Sequence, residues 1–299
     1  MPRKLNAVFL LDKPLGINSN HALQSVKRLF DAAKAGHCGT LDPLATGLLP
    51  ICFGEATKFS RFVFDAEKIY EARIGLGETT ASGDCESEIT SVSPVACSRQ
   101  QAEAVLSNFV GKQTQIPPMF SALKHNGTPL YALARRGKQV ERAPRAITIS
   151  QIRLLEFSGN ELSIEVRCSK GTYIRVLAQD IGAALGCGAH LNALRRTAVG
   201  ALTLDSAHTL KELGKMNERD SCLLPLDTFI GSVPRLVLND AQTRQLQQGQ
   251  VVVIRESTGL LRCYDEMGQF LGVATADQSG QLKASRLLAT RGLLEGSAG

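Results

Sequence analysis

A single carboxylate, that of Asp42, stands in a glycine-rich and largely apolar segment between Gly36 and Pro50. Pro43 biases the backbone of Asp42 toward an extended conformation, because the proline ring disfavours the helical region for the residue before it. Gly39 can adopt a positive φ or allow a close approach to a ligand. Neighbouring leucines such as Leu41 can anchor the segment in a core. The segment therefore predicts a carboxylate that is held rigidly on a loop from which water is partly excluded.

The same segment also has a purely structural interpretation, because Asp-Pro pairs and glycines are ordinary turn residues. Two features favour a functional loop. The loop is long and apolar, and it contains a second ionisable side chain, that of His37. A lone carboxylate can act as a nucleophile or as a base at a sugar carbon or an activated ring. A glycosidase with two carboxylates would need a second acid, which the sequence does not place nearby.

Two other regions could bring aromatic and cationic side chains to Asp42. Residues 68–77 alternate between apolar and polar types, which predicts a strand whose apolar face begins with Tyr70. The ring of Tyr70 could lie over a cleft or could simply be half-buried in the core. A glycine-containing turn delivers Tyr173 and Arg175 to the start of a helix. An arginine beside Asp42 would keep the carboxylate ionised and oriented, whereas Arg175 on its own could be a surface cation.

Composition limits the class of protein. The chain has 299 residues, enough for a sizeable core and for two domains, and its 43% apolar and 21% charged content is typical of a globular protein. The eight cysteines form no Cys-x-x-Cys pair and the five histidines are scattered, so no metal site is predicted. No apolar run approaches the ~20 residues of a membrane span. We therefore expect a reduced, cytoplasmic protein with no membrane association.

Positive charge is concentrated in one stretch, residues 124–145, which we call the basic arm. The net charge of the chain is +6, which favours a polyanionic partner but is also compatible with simple solubility. The arm holds one acid, Glu141, against Lys124, Arg135, Arg136, Lys138, Arg142 and Arg145. A one-signed run that glycine and proline interrupt between two strands predicts a grip on phosphates. The pair Arg195 and Arg196 adds further positive charge.

Apolar periodicity predicts the elements that would position these residues. Strands are predicted at 7–12, 48–53 and 68–77, and a hairpin at 147–157 and 162–167. Helices are predicted at 19–30, at 55–64, from a capping box at Ser98 up to Gly111, and after Arg175. Beyond residue 234, short strands at 251–254, 260–264, 270–276 and 282–288 predict a small β-barrel. No phosphate-binding or dinucleotide-binding glycine motif is present, so no cofactor is predicted.

The sequence Gly-His-Cys-Gly-Thr-Leu-Asp-Pro-Leu-Ala-Thr-Gly around Asp42 resembles the signature loop of the TruB family of pseudouridine synthases. Further blocks match the family in the same order, at 13–16, 69–72, 168–182, 186–200 and 224–227. The resemblance implies an α+β pseudouridine synthase fold. Residues 1–230 would form a catalytic domain with a mainly antiparallel central sheet flanked by helices. Residues 234–293 would form a PUA-like RNA-binding domain.

The activity that the resemblance implies is isomerisation of uridine to pseudouridine at position 55 in the T loop of tRNA. The base is flipped out of its stack, the C1′–N1 bond breaks, the uracil rotates, and C5 joins C1′. Asp42 would be the essential acid, and it would either attack C1′ or remove the 2′ proton. No cofactor takes part.

The resemblance also implies roles for side chains around Asp42. Arg175 would pair with Asp42, and Tyr70 would stack on the flipped uracil. The remaining substrate contacts would come from Tyr173 and Leu194 in the base pocket, His37 on the RNA, and Lys13 beside the pocket. The loop after Tyr70 departs from the family pattern Thr-Asp-Thr-x-Asp-x-x-Gly, since residues 80–87 lack one acid and the closing glycine. No role is therefore carried over to this loop.

The expected partner is the T arm of tRNA, and the chain is expected to act as a monomer without an obligate protein partner. Phosphate contacts are expected from Lys124, Arg135, Arg136, Lys138, Arg142, Arg195 and Arg196. An alternative function is a tRNA-binding or tRNA-folding module whose role does not depend on catalysis, because the basic arm and the barrel fit both functions equally. A synthase that needs a guide RNA and protein partners is disfavoured, since the arm and the second domain give the chain its own grip on RNA.

Overall fold

The computed structural model describes residues 1–255 and 257–289. In the first 230 residues, strands and helices surround one large sheet. The strands are β1 (Val8–Lys13), β2 (Ala35–His37), β3 (Ala45–Phe53), β4 (Lys68–Leu76), β5 (Glu78–Thr80), β6 (Ile89–Val92), β7 (Gly111–Gln115), β8 (Lys124–His125), β9 (Thr128–Pro129), β10 (Arg145–Phe157), β11 (Glu161–Cys168), β12 (Ala189–Val199), β13 (Leu202–Thr203) and β14 (His208–Thr209). The α-helices are α1 (Ser19–Leu29), α2 (Ser60–Asp65), α3 (Arg99–Ser107), α4 (Leu130–Ala134), α5 (Ile174–Ala184) and α6 (Leu210–Lys215). Short 3-10 helices occupy Gly54–Phe59, Leu204–Ser206, Arg219–Cys222 and Leu226–Ile230.

The central sheet has ten strands, in the order β14-β1-β3-β12-β4-β11-β10-β7, with β2 beside β3 and β13 beside β12. Most neighbours are antiparallel, and the pairs β1–β14 and β3–β12 are parallel. The predicted α+β fold with a mainly antiparallel central sheet is confirmed. The order places β3, which follows the Asp42 loop, directly beside β12 and one strand away from β4, which carries Tyr70.

Alternation along the central strands separates two faces of the sheet. In β1, Phe9 and Leu11 are buried in the core that packs α1 and α6. Val8 and Leu10 belong to a different core, on the side of α2. Side chains of successive strand residues point to opposite faces, so an uninterrupted apolar run such as β1 fills both cores at once. This double burial makes β1 and β3 a rigid base for the loops at their ends.

The site region lies where two hydrophobic cores meet. One core packs α3 and α5 against the strands β4, β10, β11 and β12, and the other packs α1 and α6 against β1 and β3. Tyr70 and Leu194 are partly buried and pack against both cores. Residues from the Asp42 loop, β4, β12 and the start of α5 are therefore close together in space although they are distant in sequence.

The C-terminal part contains β15 (Arg235–Val237), α7 (Asp240–Gln247), β16 (Val252–Val253), β17 (Gly259–Tyr264), β18 (Phe270–Ala276) and β19 (Gln281–Leu287). Its five strands are paired in the order β15-β17-β18-β19-β16 and curl into a half-barrel. This confirms the predicted small barrel in the form of an open half-barrel. The last residues of the predicted domain, 290–293, lie outside the described residues, and the division between residues 230 and 234 stays a prediction.

An aromatic and polar contact joins the half-barrel to the first part of the chain. The rings of Phe59 and Phe270 pack edge to face with their centroids 5.4 Å apart. Asp227 accepts hydrogen bonds from Arg262, at 3.1 Å, and from the hydroxyl of Tyr264. Burial and the hydrogen bond to Asp227 raise the pKa of Tyr264 to about 12. The half-barrel thereby contacts two 3-10 helices of the first part of the chain, Gly54–Phe59 and Leu226–Ile230.

Several element boundaries differ from the sequence prediction, and two of the differences change a helix. The helix predicted at 55–64 is a 3-10 turn, Gly54–Phe59, that continues as α2. Helix α3 ends at Ser107 rather than at Gly111, because Gly111 adopts a φ of +110° and begins β7. None of the described helices is long and apolar enough to cross a bilayer.

Candidate active site

Asp42 lies on the connection between β2 and β3, and a serine of α1 fixes the backbone beside it. The hydroxyl of Ser19 accepts a hydrogen bond from the Leu41 amide at 2.7 Å and donates one to the Leu41 carbonyl at 2.9 Å. The carbonyl of Asp42 accepts from the amide of Ala45 at 3.0 Å. Ser19 and Leu41 are buried, whereas 46% of the Asp42 side chain is exposed. The loop therefore holds its backbone in the core and presents the carboxylate outward.

The partner of Asp42 is Arg175, on the first turn of α5. Arg175 Nη2 lies 3.0 Å from Asp42 Oδ2, and only 8% of the arginine side chain is exposed. The same guanidinium donates to the carbonyl of Phe120 at 2.6 Å and to that of Ser82 at 3.2 Å. Two backbone carbonyls thus fix the arginine before any substrate is bound. The alternative that Arg175 is a surface cation is wrong.

A second carboxylate, that of Asp84, completes the surroundings of Arg175. Asp84 Oδ2 lies 3.5 Å from Arg175 Nη1, and only 4% of its side chain is exposed. Asp84 also accepts hydrogen bonds from the Ser82 hydroxyl and, at 3.2 Å, from the Glu86 amide. A buried carboxylate needs such partners, since an unpaired buried charge is costly. No role was predicted for this loop from the sequence, although an acid at position 84 agrees with the family pattern and could have indicated one.

A cavity of about 600 Å³ opens beside this ion pair. Its walls include Asp42, Tyr70, Ser121, Tyr173, Arg175 and Leu194, and cations also line it at Lys68, Arg145, Lys170 and Arg196. This volume is typical of pockets for small ligands and can accept a nucleoside. The resemblance gave substrate roles to six side chains besides Asp42. Four of them line this cavity together with Asp42, namely Tyr70, Tyr173, Arg175 and Leu194.

The two tyrosines of the cavity are held in different ways. Tyr173 immediately precedes α5, and its backbone is paired with the side chain of Gln115 through hydrogen bonds of 2.8 and 3.1 Å. Tyr70 is a strand residue of β4, paired in register with Val166 and Arg196. Burial raises the pKa of both phenols, so both remain protonated at neutral pH. Both rings can therefore present uncharged faces to a base.

Family models match almost the whole chain. The TruB family pseudouridylate synthase N-terminal domain matches residues 27–174, the tRNA pseudouridylate synthase B C-terminal domain matches 175–231, and the C-terminal domain of pseudouridine synthase II TruB matches 234–288. The tRNA pseudouridine synthase B of Dechloromonas aromatica is 53% identical, with 96% of each chain covered. That of Methylobacillus flagellatus is 50% identical, with 97% of each chain covered.

The chain belongs to the TruB family of pseudouridine synthases. It is therefore an isomerase of the class that forms pseudouridine in tRNA. Solved structures support the fold: an H/ACA RNP bound to a substrate RNA containing 2′-deoxyuridine gives a TM-score of 0.72 at 22% identity, covering 95% of this chain and 86% of that one. A Cbf5-Nop10-Gar1 complex gives the same TM-score at 24% identity, with 96% and 86% covered.

Arg196 in this TruB-family chain does not lie where the sequence analysis placed it. Only 1% of it is exposed, and its guanidinium donates to the carbonyls of Leu48, at 2.8 Å, and Gly39, at 3.0 Å. The predicted contact with RNA phosphates is wrong, because Arg196 is used to fix the Asp42 loop from within. Gly47 makes room for this arrangement: at its φ of +99° an added Cβ would lie 2.3 Å from the Arg196 carbonyl oxygen.

Two other basic side chains near the loop are withdrawn from solvent, Lys13 fully and His37 in part. Lys13 is fully buried and donates to the carbonyls of Pro14, at 2.8 Å, and Ile17, at 2.7 Å; burial lowers its pKa to about 8. Lys13 thus fixes the turn that follows β1. His37, on β2, has its pKa lowered by burial and then by the charge of Arg196, and its Nδ1 has no hydrogen-bond partner. A neutral imidazole is expected there at neutral pH.

The cations of the basic arm differ from those around Asp42. Lys124, Arg135, Arg136 and Lys138 are exposed, Arg142 is half-buried, and none of the five forms an ion pair with a described residue. Arg135 lies over the Tyr131 ring, 5.7 Å from its centroid. Arg195, by contrast, is bound to both oxygens of Asp12 at 3.1 and 2.7 Å. RNA contacts by these residues remain predictions.

Metal chemistry has no candidate ligands in the described part of the chain. No three His, Cys, Asp or Glu side chains of residues 1–255 and 257–289 lie close enough together to hold an ion. What the arrangement offers is one carboxylate, positioned by a buried arginine, at the edge of a cavity with two protonated tyrosines. Such a site can act on the sugar of an extruded nucleotide.

Proposed function

We propose that the chain converts uridine to pseudouridine at position 55 in the T loop of tRNA, with Asp42 as its one essential carboxylate. The observation that carries the proposal is the pair formed by Asp42 and Arg175, 3.0 Å apart at the edge of the cavity. Family membership and the names of the relatives support the coarser statement that uridine in tRNA is isomerised. The T-loop position follows from the resemblance of the signature loop.

The target base must first leave its stack, at a cost of a few kcal/mol. Stacking of a base on an aromatic ring returns about 1–3 kcal/mol, and Tyr70 provides such a ring at the cavity. Tyr173 and Leu194 form other parts of the same wall. The cavity thus offsets part of the cost of extrusion and also separates the base from bulk water.

Asp42 then acts at the ribose. Its carboxylate either attacks C1′, so that the C1′–N1 bond electrons leave with the uracil, or removes the 2′ proton to give a glycal. In either route the uracil turns over and C5 forms a bond with C1′. Formation of this bond displaces the Asp42 carboxylate from C1′ in the first route, and it is accompanied by return of the proton to C2′ in the second. The proton on C5 is finally lost while N1 gains one. Reactant and product are isomers, so the balance needs no oxidant and no cofactor. Arg175 orients the carboxylate throughout.

A different function is compatible with the same RNA grip: a tRNA-binding or tRNA-folding module whose role is independent of catalysis. The basic arm favours this function as much as it favours the enzyme, because it supplies positive charge that is not ion-paired with a described residue. The two functions can coexist in one chain. We expect the chain to act on tRNA as a monomer and without a guide RNA.

The decisive variant is Asp42→Asn, which keeps the size of the side chain but removes its charge. We expect tritium release from C5-labelled uridine in T-arm RNA to fall by at least about a thousandfold, as for loss of a nucleophile in other enzymes, while tRNA binding is kept. Turnover close to that of the wild type would reject the assignment. Mapping the product by reverse transcription after carbodiimide treatment tests position 55 separately.

The same variant separates the two functions in cells. If the biological role depends only on binding or folding of tRNA, Asp42→Asn rescues the phenotype of a deletion strain and a variant with a neutralised arm does not. If the role depends on the modification, neither variant rescues it.

A further inference from the structure

A buried hydroxyl without a partner lies in the wall of the cavity. Ser121 is 5% exposed, lines the cavity beside Asp42, and forms no hydrogen bond through its Oγ. Among the buried side-chain nitrogens and oxygens of the described residues, only His37 Nδ1 and Arg142 Nε share this state. An unpaired buried hydroxyl is unfavourable, because the hydrogen bonds that it would make with water are not replaced. The free protein therefore carries an unfavourable group that a ligand in the cavity could satisfy.

The backbone fixes Ser121 in relation to the catalytic pair. Its amide donates to the carbonyl of Met119 at 2.9 Å, and its carbonyl accepts from the amide of Tyr131 at 3.1 Å. The preceding carbonyl, that of Phe120, is the one that accepts from Arg175 Nη2. Consecutive residues thus hold the arginine and present the hydroxyl. Ser121 cannot move away from the cavity without disturbing Arg175.

The phenol of Tyr173 lies close enough to Ser121 for a contact with the serine hydroxyl to lower the pKa of the phenol, against the larger effect of burial, but no well-formed hydrogen bond joins the two groups. Two hydroxyl groups therefore face the region that the proposed function gives to the uracil. A hydroxyl is both donor and acceptor, and its hydrogen rotates to suit its partner. Uracil presents two carbonyl oxygens, O2 and O4, on either side of N3–H.

We propose that the Ser121 hydroxyl donates a hydrogen bond to a carbonyl oxygen of the extruded uracil and can do so both before and after the base turns over. The proposal rests on the proposed function. A half-turn of uracil about the line through N3 and C6 exchanges N1 with C5 and O2 with O4, and leaves N3–H in place. A fixed donor that meets one carbonyl in uridine therefore meets the other carbonyl in pseudouridine.

This geometry lets Ser121 bind the uracil in both of its orientations, which a contact specific to one orientation could not do. Between cleavage of the C1′–N1 bond and formation of the C5–C1′ bond, the uracil is not covalently attached to the ribose. A donor at the carbonyl position fits both end states, so it holds the detached ring in the cavity without favouring either one. Ser121 is in this sense a uracil-binding residue rather than a group that takes a proton.

The first test is Ser121→Ala, which removes one oxygen and adds no bulk. We expect kcat/KM for T-arm RNA to fall about threefold to tenfold, the value of one neutral hydrogen bond. Without RNA, the unfolding temperature should be unchanged or slightly raised, because the oxygen that is removed was buried and unpaired. A matched control is Ser107→Ala on α3, where the hydroxyl bonds the Ala104 carbonyl at an exposed position. That control should leave kcat/KM unchanged.

The second test identifies the atom that Ser121 contacts. RNAs carrying 2-thiouridine or 4-thiouridine at the target replace one carbonyl oxygen by sulfur, a weaker acceptor. For at least one of them, the decrease in kcat/KM caused by sulfur should be smaller in Ser121→Ala than in the wild type, since the variant has no hydrogen bond there to weaken.

Three results would overturn the proposal. The first is a kcat/KM of Ser121→Ala that equals that of the wild type. The second is a fall in the unfolding temperature of the variant that is large enough to account for its decrease in activity. The third is a sulfur effect that is as large in the variant as in the wild type for both thiouridines. Each leaves the proposed function intact, because that function is tested by Asp42→Asn and by the wild type on unmodified RNA.

Discussion

The ion pair between Asp42 and Arg175 and the basic arm use positive charge in opposite ways. Arg175 is buried, bound to two carbonyls, and placed between two carboxylates. The arginines at the tip of the arm, Arg135 and Arg136, are exposed and form no ion pair with a described residue. One cation is committed to protein contacts before substrate arrives, and the others are free for a polyanion.

The difference follows from what each task requires. A group that orients a reacting carboxylate must be fixed in advance, because a small misplacement lowers the rate steeply. Phosphate contacts gain their free energy largely from the release of counterions, which does not demand a fixed geometry. The arm is built accordingly from two-residue strands and the five-residue helix α4. The comparison predicts that substitutions in the two regions affect different measured quantities.

Among the substitutions that test this comparison, the largest effect is expected for Arg175→Lys. Lysine keeps the charge but cannot reach Asp42, Asp84 and two carbonyls at once, because its ammonium is a single point rather than a planar fork. We expect single-turnover tritium release to fall at least about a hundredfold, with little change in Kd for tRNA. Stability should also fall, since the buried Asp84 loses its partner.

The matched control for this variant is Arg262→Lys, which alters another partly buried arginine–aspartate pair outside the cavity. It should change stability without a comparable change in the rate of the chemical step. A rate for Arg175→Lys within a few-fold of the wild type would mean that orientation by the guanidinium contributes little, and the contrast with the arm would fail.

A smaller effect, on binding alone, is expected from neutralising the arm. Replacing Arg135, Arg136 and Lys138 by glutamine should weaken tRNA binding by about tenfold to a hundredfold at low salt. The slope of log affinity against log salt should flatten by about one for each phosphate that the variant no longer neutralises. The rate at saturating enzyme should stay near that of the wild type.

The control for the arm removes surface charges that are already ion-paired, in the double variant Arg99→Gln and Arg153→Gln. It separates neutralisation of the arm from a general decrease in net charge. An unchanged salt slope in the arm variant would place the arm away from RNA and leave its free cations unexplained.

The region around Asp42 was more predictable from sequence than the arm for a physical reason. The Asp42 loop carries glycines, a proline and leucines whose backbone and packing demands are local, and its motif is specific. The elements around it follow from apolar periodicity, so β1, β4 and the β10–β11 hairpin lie close to their predicted ranges. The pairing of β3 with β12 could not be read from either strand, because it depends on long-range register.

The errors have the same origin. Arg196 was predicted to bind phosphates because it adjoins Arg195, but neighbouring residues in a strand point to opposite faces. One of them reaches the half-buried Asp12, and the other is buried under the Asp42 loop. Asp84 and Ser121 were missed as parts of the site because each lies in a loop, and only the folded chain brings those loops to Arg175. The sequence identifies a residue as a cation, but only the fold shows whether its side chain is buried against the protein or exposed to a ligand.

The smallest effect is expected for His37→Gln, on the pH dependence of stability. His37 was expected to contact RNA, but it lies close to the buried Arg196. Its pKa is lowered, first by burial and then by that charge, so the unfolded chain binds a proton at a higher pH than the folded protein. The neutral folded form is therefore fully favoured above the unfolded pKa of about 6.5, and stability from this group is lost as the pH falls through 6.5 toward the lowered value. Wild-type protein should lose more unfolding free energy between pH 7.5 and 5.5 than His37→Gln, by up to about 1.4 kcal/mol for each unit of pKa shift. Equal losses in the two proteins would mean that folding does not lower the pKa of His37, and the imidazole would then be able to take up a proton near pH 6.5 and bind phosphate as a cation.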